Sequence, residues 1–149
     1  MVNLDNGIFL EDNNVLLKWR NLVEQLAIEN KAEIIRKHDR TIIEWGTHNI
    51  LDGLKLNLTN VYLLTARLTM VKFTSIESWY FGDKDSFENF NRIKNHLLIK
   101  IGEPIEKFGS IKTDREECWI WKINLTKITL FLFEQHVFKM HFKIEHNQD

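Results

Sequence analysis

The sequence predicts an α+β fold in which a mostly antiparallel sheet carries two helices packed on one face. One observation is an amphipathic pattern over Ser86–Ile101, and a second is the alternation of apolar and polar residues from there to the C-terminus. A third is that only one proline and six glycines interrupt 149 residues, which favours long regular elements. This length is the commonest size of one domain, so we expect a single domain over residues 1–149.

The N-terminal segment is predicted to form a hairpin and then a helix. Gly7–Leu10 and Val15–Trp19 are apolar runs on either side of the turn signal at residues 11–14. One longer helix over residues 14–30 is the alternative, because apolar residues also recur there at helical spacing. We favour a strand followed by a helix from about Asn21, since Asn21 and Glu24 have capping-box spacing. Asn30 would end that helix.

Further strands are predicted before the amphipathic segment. Glu33–Lys37 and Thr41–Trp45 flank a short polar turn and contain paired isoleucines, which favours a second hairpin. Leu54–Leu58 and Tyr62–Ile76 contain more residues typical of strands, although the alternation in Tyr62–Ile76 is blurred.

The Ser86–Ile101 segment is the clearest helix in the sequence. Asp85 is a candidate N-cap, with Glu88 three residues later in the capping-box position. Gly102 and Pro104 follow directly and would end the helix. The apolar stripe at spacings of three and four consists of Phe87, Phe90, Ile93, Leu97, Leu98 and Ile101.

After a polar loop, three strands are predicted to form an antiparallel meander over Glu117–Leu125, Lys127–Glu134 and Val137–His146, because the turns between them are too short for a helix. In the last strand one face is apolar, formed by Phe138, Met140, Phe142 and Ile144. The other face is polar and carries Lys139, His141, Lys143 and Glu145. The helix stripe is expected to dock on the apolar face. A helix before a meander occurs in both halves, which is compatible with a duplicated helix-plus-meander unit.

Composition argues against several classes of partner. The net charge is −1, so nucleic acid is not expected, and we interpret the basic cluster at residues 36–40 as a solvated hairpin tip. The sequence contains no apolar run long enough to span a membrane. The single Cys118 and an N-terminus without signal-peptide features predict a cytoplasmic protein.

Catalytic, metal and cofactor sites are not predicted. His136, His141 and His146 are five residues apart, so consecutive members lie on opposite faces of a strand and do not converge on a metal. The serines lack a nucleophile-elbow context, and we interpret Cys118 as a packing residue. The glycines form no phosphate-binding loop, so no cofactor is expected.

Binding residues are instead predicted at an aromatic run and on the polar strand face. Three aromatics in succession, Trp79, Tyr80 and Phe81, cannot all face one core, so Trp79 or Tyr80 is a candidate interface anchor. The strand-face candidates are Lys139, His141, Lys143 and Glu145. These features favour a non-catalytic protein-binding module, with a homodimer through a sheet edge also open. A small apolar-ligand-binding protein or minor enzyme, with its pocket between helix and sheet, is the alternative.

A resemblance to a known family is carried by a pattern over most of the chain. The pattern consists of Trp45-Gly46, Gly53-Leu54, a helix with Phe87, Phe90 and Leu97, then Gly102-x-Pro104, Trp119 and a strand ending in Phe133-Glu134. It resembles small bacterial immunity proteins and related uncharacterised domains. The helix, Gly-x-Pro and meander are also similar to the repeated unit of β-lactamase-inhibitor-like proteins. The resemblance implies a cytoplasmic protein that neutralises a partner toxin by occluding it, without catalytic residues.

Overall fold

The structure is a computed structural model that describes residues 2–63 and 67–147. Two α-helices and antiparallel strands confirm the predicted α+β class. The described part of the chain divides into two compact units, one over Asn3–Ile76 and the other from Glu77 to Asn147 together with Val2.

The first unit contains a hairpin, a short helix and a three-stranded meander. The bounds are β1 Gly7–Leu10, β2 Val15–Lys18, α1 Val23–Glu29, β3 Glu33–Arg36, β4 Arg40–Ile50 and β5 Leu54–Leu63, and β6 Ser75–Phe81 begins at the end of this unit. β1 pairs antiparallel with β2, and β4 pairs antiparallel with both β3 and β5. The predicted hairpins are confirmed, and so is the strand followed by a separate helix.

Large aromatic side chains form the core of the first unit. Trp19 stacks on Phe73 with ring centroids 5.1 Å apart, and Trp45 meets Phe73 edge-on at 5.8 Å. The indole N–H of Trp45 donates to Oδ1 of the buried Asn60 at 2.7 Å, so this polar group is satisfied inside the core. The segments that carry Trp19, Trp45 and Phe73 are therefore held together by one aromatic cluster.

Two predictions in the first unit are wrong. α1 begins at Val23 after Leu22, without a side-chain cap, so the capping box at Asn21 is not formed. The predicted strand Tyr62–Ile76 is instead the end of β5, a single 3-10 turn at Leu68–Met70 and the start of β6; its residues 64–66 lie outside the described residues. Backbone groups of residues 71–73 bind those of residues 20–23 rather than a neighbouring strand, which explains the interruption.

The second unit contains one helix and five strands. The rest of β6 is followed by α2 Asp83–Lys100, β7 Glu106–Phe108, β8 Glu116–Ile123, β9 Thr126–Gln135 and β10 Val137–His146. The strands lie in the order β6, β10, β9, β8, β7, with antiparallel pairing from β10 through β7. The meander is confirmed, and β7 falls in the segment predicted as a polar loop.

α2 starts earlier than predicted because its first turn is bonded to the neighbouring strands. Gly82, at φ +94°, is the residue before the helix, so Asp85 is not the N-cap. Oδ1 of Asp83 accepts the backbone N–H of Phe138 at 2.9 Å, and the hydroxyl of the buried Ser86 donates to the Phe138 carbonyl at 3.0 Å. These bonds fix the start of α2 beside the start of β10.

The apolar stripe of α2 packs on the apolar sheet face, as predicted. Phe90, Ile93 and Leu97 are buried, and the ring of Phe87 meets that of Phe138 at 4.8 Å. The buried residues of the sheet on this side are Trp121, Ile128, Leu130, Leu132, Phe138, Met140, Phe142 and Ile144. α2 therefore packs against this face of the sheet along β9 and β10.

Both units place a helix before a three-stranded meander, α1 before β3–β5 and α2 before β8–β10, with β7 as an addition in the second unit. This element order matches the predicted repeat, and a common origin of the two halves stays a prediction. Neither α1 nor α2 has the length and hydropathy that a membrane-spanning helix requires.

Candidate functional site

Five of the six predicted binding residues lie on one face of the sheet in the second unit. Trp79 on β6 contacts His141 on β10, and His141 shares its face with the other three predicted residues of β10, which are Lys139, Lys143 and Glu145. Tyr80 is separated from them. Its hydroxyl accepts a hydrogen bond from Arg92 of α2 at 3.4 Å, on the helix-covered side, because side chains alternate along β6.

The strand register shows which residues complete this face. β10 pairs His141 with Phe131 of β9, β8 pairs Cys118 with Phe131, and β7 pairs Phe108 with Cys118. α2 is the only helix in the described part of the second unit, and it packs on the other side. We call this side the open face. It consists of Glu77, Trp79 and Phe81 of β6; Lys139, His141, Lys143 and Glu145 of β10; Lys127, Thr129, Phe131 and Phe133 of β9; Glu116, Cys118, Ile120 and Lys122 of β8; and Glu106 and Phe108 of β7.

A row of mostly aromatic side chains crosses the open face from one side to the other. The row contains Trp79, His141, Phe131, Cys118 and Phe108, one from each strand. Four spacings of about 4.8 Å between neighbouring strands give it a length of about 19 Å. The open face therefore presents a continuous apolar band rather than the polar surface predicted from β10 alone.

The Trp79 end of the row is held in place by a histidine and a carboxylate. The rings of Trp79 and His141 stack with centroids 3.9 Å apart and planes at 18°. Nε2 of His141 lies 2.7 Å from Oε1 of Glu77, and both side chains are largely buried, with 18% and 15% of their surfaces exposed. His141 is therefore engaged in positioning the indole.

The centre of the open face is a pair of phenylalanines on β9. Phe131 and Phe133 stack with ring centroids 4.7 Å apart. Along the β6 border, Nζ of Lys139 donates to Oε1 of Gln135 at 3.2 Å and lies 5.9 Å from the ring centroid of Phe81. Phe81 is 60% exposed and Phe108, at the opposite border, is 53% exposed. Large apolar side chains are thus available to a partner at both ends of the band.

Charges of opposite sign lie on the two sides of Phe133. Lys139 on β10 and Glu116 on β8 are both opposite Phe133 in the register. Lys143 is opposite Thr129 and also pairs with Glu145 at 3.4 Å. Burial raises the pKa of the Cys118 thiol, and Glu116 and Glu106 act in the same direction, so the thiolate is disfavoured on this face.

The phenylalanines of β9 were missed at the level of sequence, although a signal was present. Leu130, Phe131, Leu132 and Phe133 are four consecutive apolar residues. In a strand, such a run places large apolar groups on both faces and not on one alone. The alternation in β10 predicts that one side of the whole sheet is polar. This is wrong for β9, which places Phe131 and Phe133 on that side.

A histidine and a carboxylate also meet in the first unit, where their role is structural. Nδ1 of His48 lies 3.0 Å from Oδ2 of Asp12, and Nε2 lies 2.8 Å from the Trp45 carbonyl. Both ring nitrogens thus face oxygen atoms of the protein itself, which holds the ring in place between β4 and the β1–β2 turn. Glu11 accepts the N–H groups of Asp52 and Gly53, which ties the β1–β2 turn to the β4–β5 turn.

The C-terminal histidines lie apart, as their spacing predicts. His141 is on the open face, and His146 is buried on the other face with its Nδ1 3.0 Å from the hydroxyl of Thr126. Within residues 2–63 and 67–147, no three His, Cys, Asp or Glu side chains are arranged to hold a metal ion.

Comparison of the chain with family models, with curated proteins and with solved structures gives no match.

Proposed function

We propose that the chain is a non-catalytic protein-binding module that uses the open face of its second unit. The observation that carries the proposal is the aromatic band from Trp79 to Phe108 on the side of the sheet opposite α2. Protein interfaces are enriched in aromatic residues at their centre and place polar residues around them. The phenylalanine pair of β9, bordered by lysines and glutamates, has this composition.

Within this class we propose the immunity type, in which the chain binds a toxin and covers the surface the toxin needs. This part of the proposal is supported by the resemblance of the Trp45-Gly46, Gly102-x-Pro104 and Phe133-Glu134 pattern to small bacterial immunity proteins. A protein that inhibits by occlusion needs a rigid binding surface and needs no catalytic residues. The stacking of Trp79 on His141 and the bond from His141 to Glu77 supply such rigidity. A cytoplasmic location belongs to the same proposal, and the single cysteine fits a reducing compartment.

A pull-down from the cells that produce this chain tests the proposal. The tagged chain is compared with Trp79→Ala and Phe131→Ser, which change the open face, and with Tyr80→Ala, which changes the opposite side of the same strand. We expect one protein to be recovered with the unchanged chain and with Tyr80→Ala, and to be lost with the two open-face variants, because large aromatic anchors dominate binding energy. Failure to recover a protein, or equal recovery with all variants, contradicts the proposal.

The alternative of a ligand pocket between helix and sheet stays a prediction. The place is occupied by Ile93, Leu97, Met140 and Phe142, none of which has exposed surface. A ligand would have to displace these side chains, so we favour the protein-binding role over a ligand-binding role.

A further inference from the structure

We propose that the edge strand β3 of the first unit pairs antiparallel with β3 of a second copy of this chain, which joins two chains into a homodimer. β3 is the last strand of its sheet, and in the described part of the chain it pairs only with β4. Its outer edge can therefore accept another strand. This edge lies in a different unit from the open face, so its pairing can be tested independently of the function proposed above.

The backbone groups on the outer edge of β3 belong to Ile34 and Arg36. The N–H of Lys37 donates to the carbonyl of Arg40 at 2.8 Å, so these two residues form a hydrogen-bonded pair at the end of the hairpin. Hydrogen-bonded pairs alternate along an antiparallel ladder, so Ile35 is the next residue bonded to β4, and the N–H and C=O groups of Ile34 and Arg36 point outward. A second strand must align its own outward groups with these.

The exposed side of the β3–β4 hairpin carries two like-charged pairs of opposite sign. Glu33 is opposite Glu44 at one end, and Lys37 is opposite Arg40 at the other, where Arg40 also contacts Asp39 at 3.5 Å. Among the described residues, neither Glu33 nor Glu44 has a basic partner, and Lys37 has no acidic one. Like charges directly opposite each other destabilise a strand pair. Each end of the hairpin would therefore be stabilised by charges of the opposite sign.

One register of two β3 strands supplies these charges. When Ile35 is opposite Ile35 of the second copy, the outward groups of Ile34 meet those of Arg36 of the second copy. Glu33 is then opposite Lys37 of the second copy, and the twofold symmetry forms this ion pair twice. The two neighbouring registers with aligned outward groups are less favourable. One places Glu33 opposite Ile35, and the other places Arg36 opposite Arg36.

The charge pattern selects a second copy as the partner. Charged side chains on an edge strand usually prevent its pairing with other chains. In β3, however, an acidic end and a basic end are complementary to the same strand running in the opposite direction. The centre is apolar, since Ile35 and its neighbour Ile42 on β4 are half-buried and Val61 on β5 is 43% exposed. Pairing would bury the side of Ile35 that faces its copy, which adds a hydrophobic contribution.

Sedimentation equilibrium of charge variants tests this pairing. We expect the unchanged chain to dimerise reversibly at concentrations up to about 500 µM, where a weak interface is detectable. Glu33→Lys and Lys37→Glu each replace two attractive pairs of the dimer by two repulsive ones, so each variant alone should dimerise at least about tenfold more weakly. Glu33→Lys also removes the repulsion from Glu44 within the chain, so it should not weaken the fold.

An equimolar mixture of the two variants gives the sharpest result. Each altered charge of one variant then faces the opposite charge of the other, so the mixture should form heterodimers about as tightly as the unchanged chain dimerises. Glu88→Lys and Lys84→Glu are the matched controls, because both residues are exposed on α2 and the changes in net charge are the same. These controls should dimerise like the unchanged chain, alone or mixed.

Three results would overturn the proposal. The first is an unchanged chain that stays monomeric at all concentrations. The second is a mixture of Glu33→Lys and Lys37→Glu that associates no better than either variant alone. The third is self-association that Phe131→Ser abolishes and the β3 variants leave unchanged, since this would place the contact between copies on the open face.

Discussion

Two phenylalanines on neighbouring strands show how the face of a strand determines the role of a residue. Phe142 is fully buried under α2, whereas Phe131 on β9 is half-buried on the open face. We expect Phe142→Ala to lower the free energy of unfolding by about 3–5 kcal/mol, because it leaves a cavity in a packed core. Phe131→Ala should cost about 1 kcal/mol, since it removes only part of a buried surface. Urea denaturation of both variants measures the difference, and equal losses would contradict the assignment of faces.

The reactivity of the Cys118 thiol can be used to probe its surroundings on the open face. Burial is the main cause that raises the pKa of its thiol, and Glu116 and Glu106 add to it. A raised pKa means less thiolate at neutral pH, so alkylation by iodoacetamide should be slow at pH 7 and reach half its maximal rate above the ordinary value of 9.0. Glu116→Gln should shift this midpoint to lower pH. A midpoint below that of free cysteine would show that the thiol is not in these surroundings.

Asp12 makes the stability of the first unit depend on pH. The N–H of Asn49 donates to Oδ1 of Asp12 and is the main cause that lowers its pKa below 3.8, and the contact with His48 acts in the same direction. A lowered pKa in the folded state stabilises the fold above the ordinary pKa, and this contribution is lost as the pH falls through the lowered value.

Asp12→Asn should therefore remove a stabilisation that is present at pH 7 and disappears in acid. Unfolding free energies measured from pH 7 down to pH 2 should converge for the unchanged chain and the variant at the acid end. Asp39→Asn, at the β3–β4 turn of the same unit, is the matched control because Asp39 is half-exposed and pairs with the exposed Arg40. A constant difference at all pH values would refute the role of the Asp12 carboxylate.

At the scale of elements, the β1–β2 hairpin depends on a glycine. Gly7 has φ +151°, and a Cβ there would lie 2.1 Å from the carbonyl oxygen of Leu17 on the paired strand. Gly53 also has a positive φ, +100°, but nothing lies within 4 Å of its Cβ position. We expect Gly7→Ala to cost more than about 2 kcal/mol and Gly53→Ala only the backbone strain of about 1 kcal/mol. Thermal unfolding of the two variants would contradict this if Gly53→Ala were the more destabilised.

The elements that could be predicted from sequence are those with an unambiguous period. Ser86–Ile101 has apolar residues at spacings of three and four, and β10 alternates strictly, so the helix, the meander and their packing are confirmed. The elements that could not be predicted depend on contacts between distant residues. The 3-10 turn at Leu68–Met70 occurs where the backbone around Val71 binds residues 20–23, and no local pattern encodes that pairing.

The candidate site was predicted in part for the same reason. Alternation in β10 placed Lys139, His141, Lys143 and Glu145 on one face, but the alignment of that face with Trp79 depends on β6 lying beside β10. Tyr80 was grouped with Trp79 because the two are adjacent in sequence, whereas alternation along β6 places it against α2. That Phe131 and Phe133 lie on the same face as His141 could be recognised only from the register of β9 against β10.

At the scale of the whole molecule, we propose that a protein partner covers the open face of the second unit in the cell. This proposal is supported by the second unit alone, in which one sheet carries apolar groups on both sides and α2 packs against one of them. That this partner is a toxin, as the resemblance to immunity proteins implies, stays a prediction.

Photo-crosslinking in the producing cells can detect such a partner. Benzoylphenylalanine is placed at position 131 on the open face and, as a control, at position 99, where Ile99 is 79% exposed on α2. We expect irradiation to join a second, different protein to the chain at position 131 and not at position 99. No adduct at position 131, or the same adduct at both positions, would contradict it.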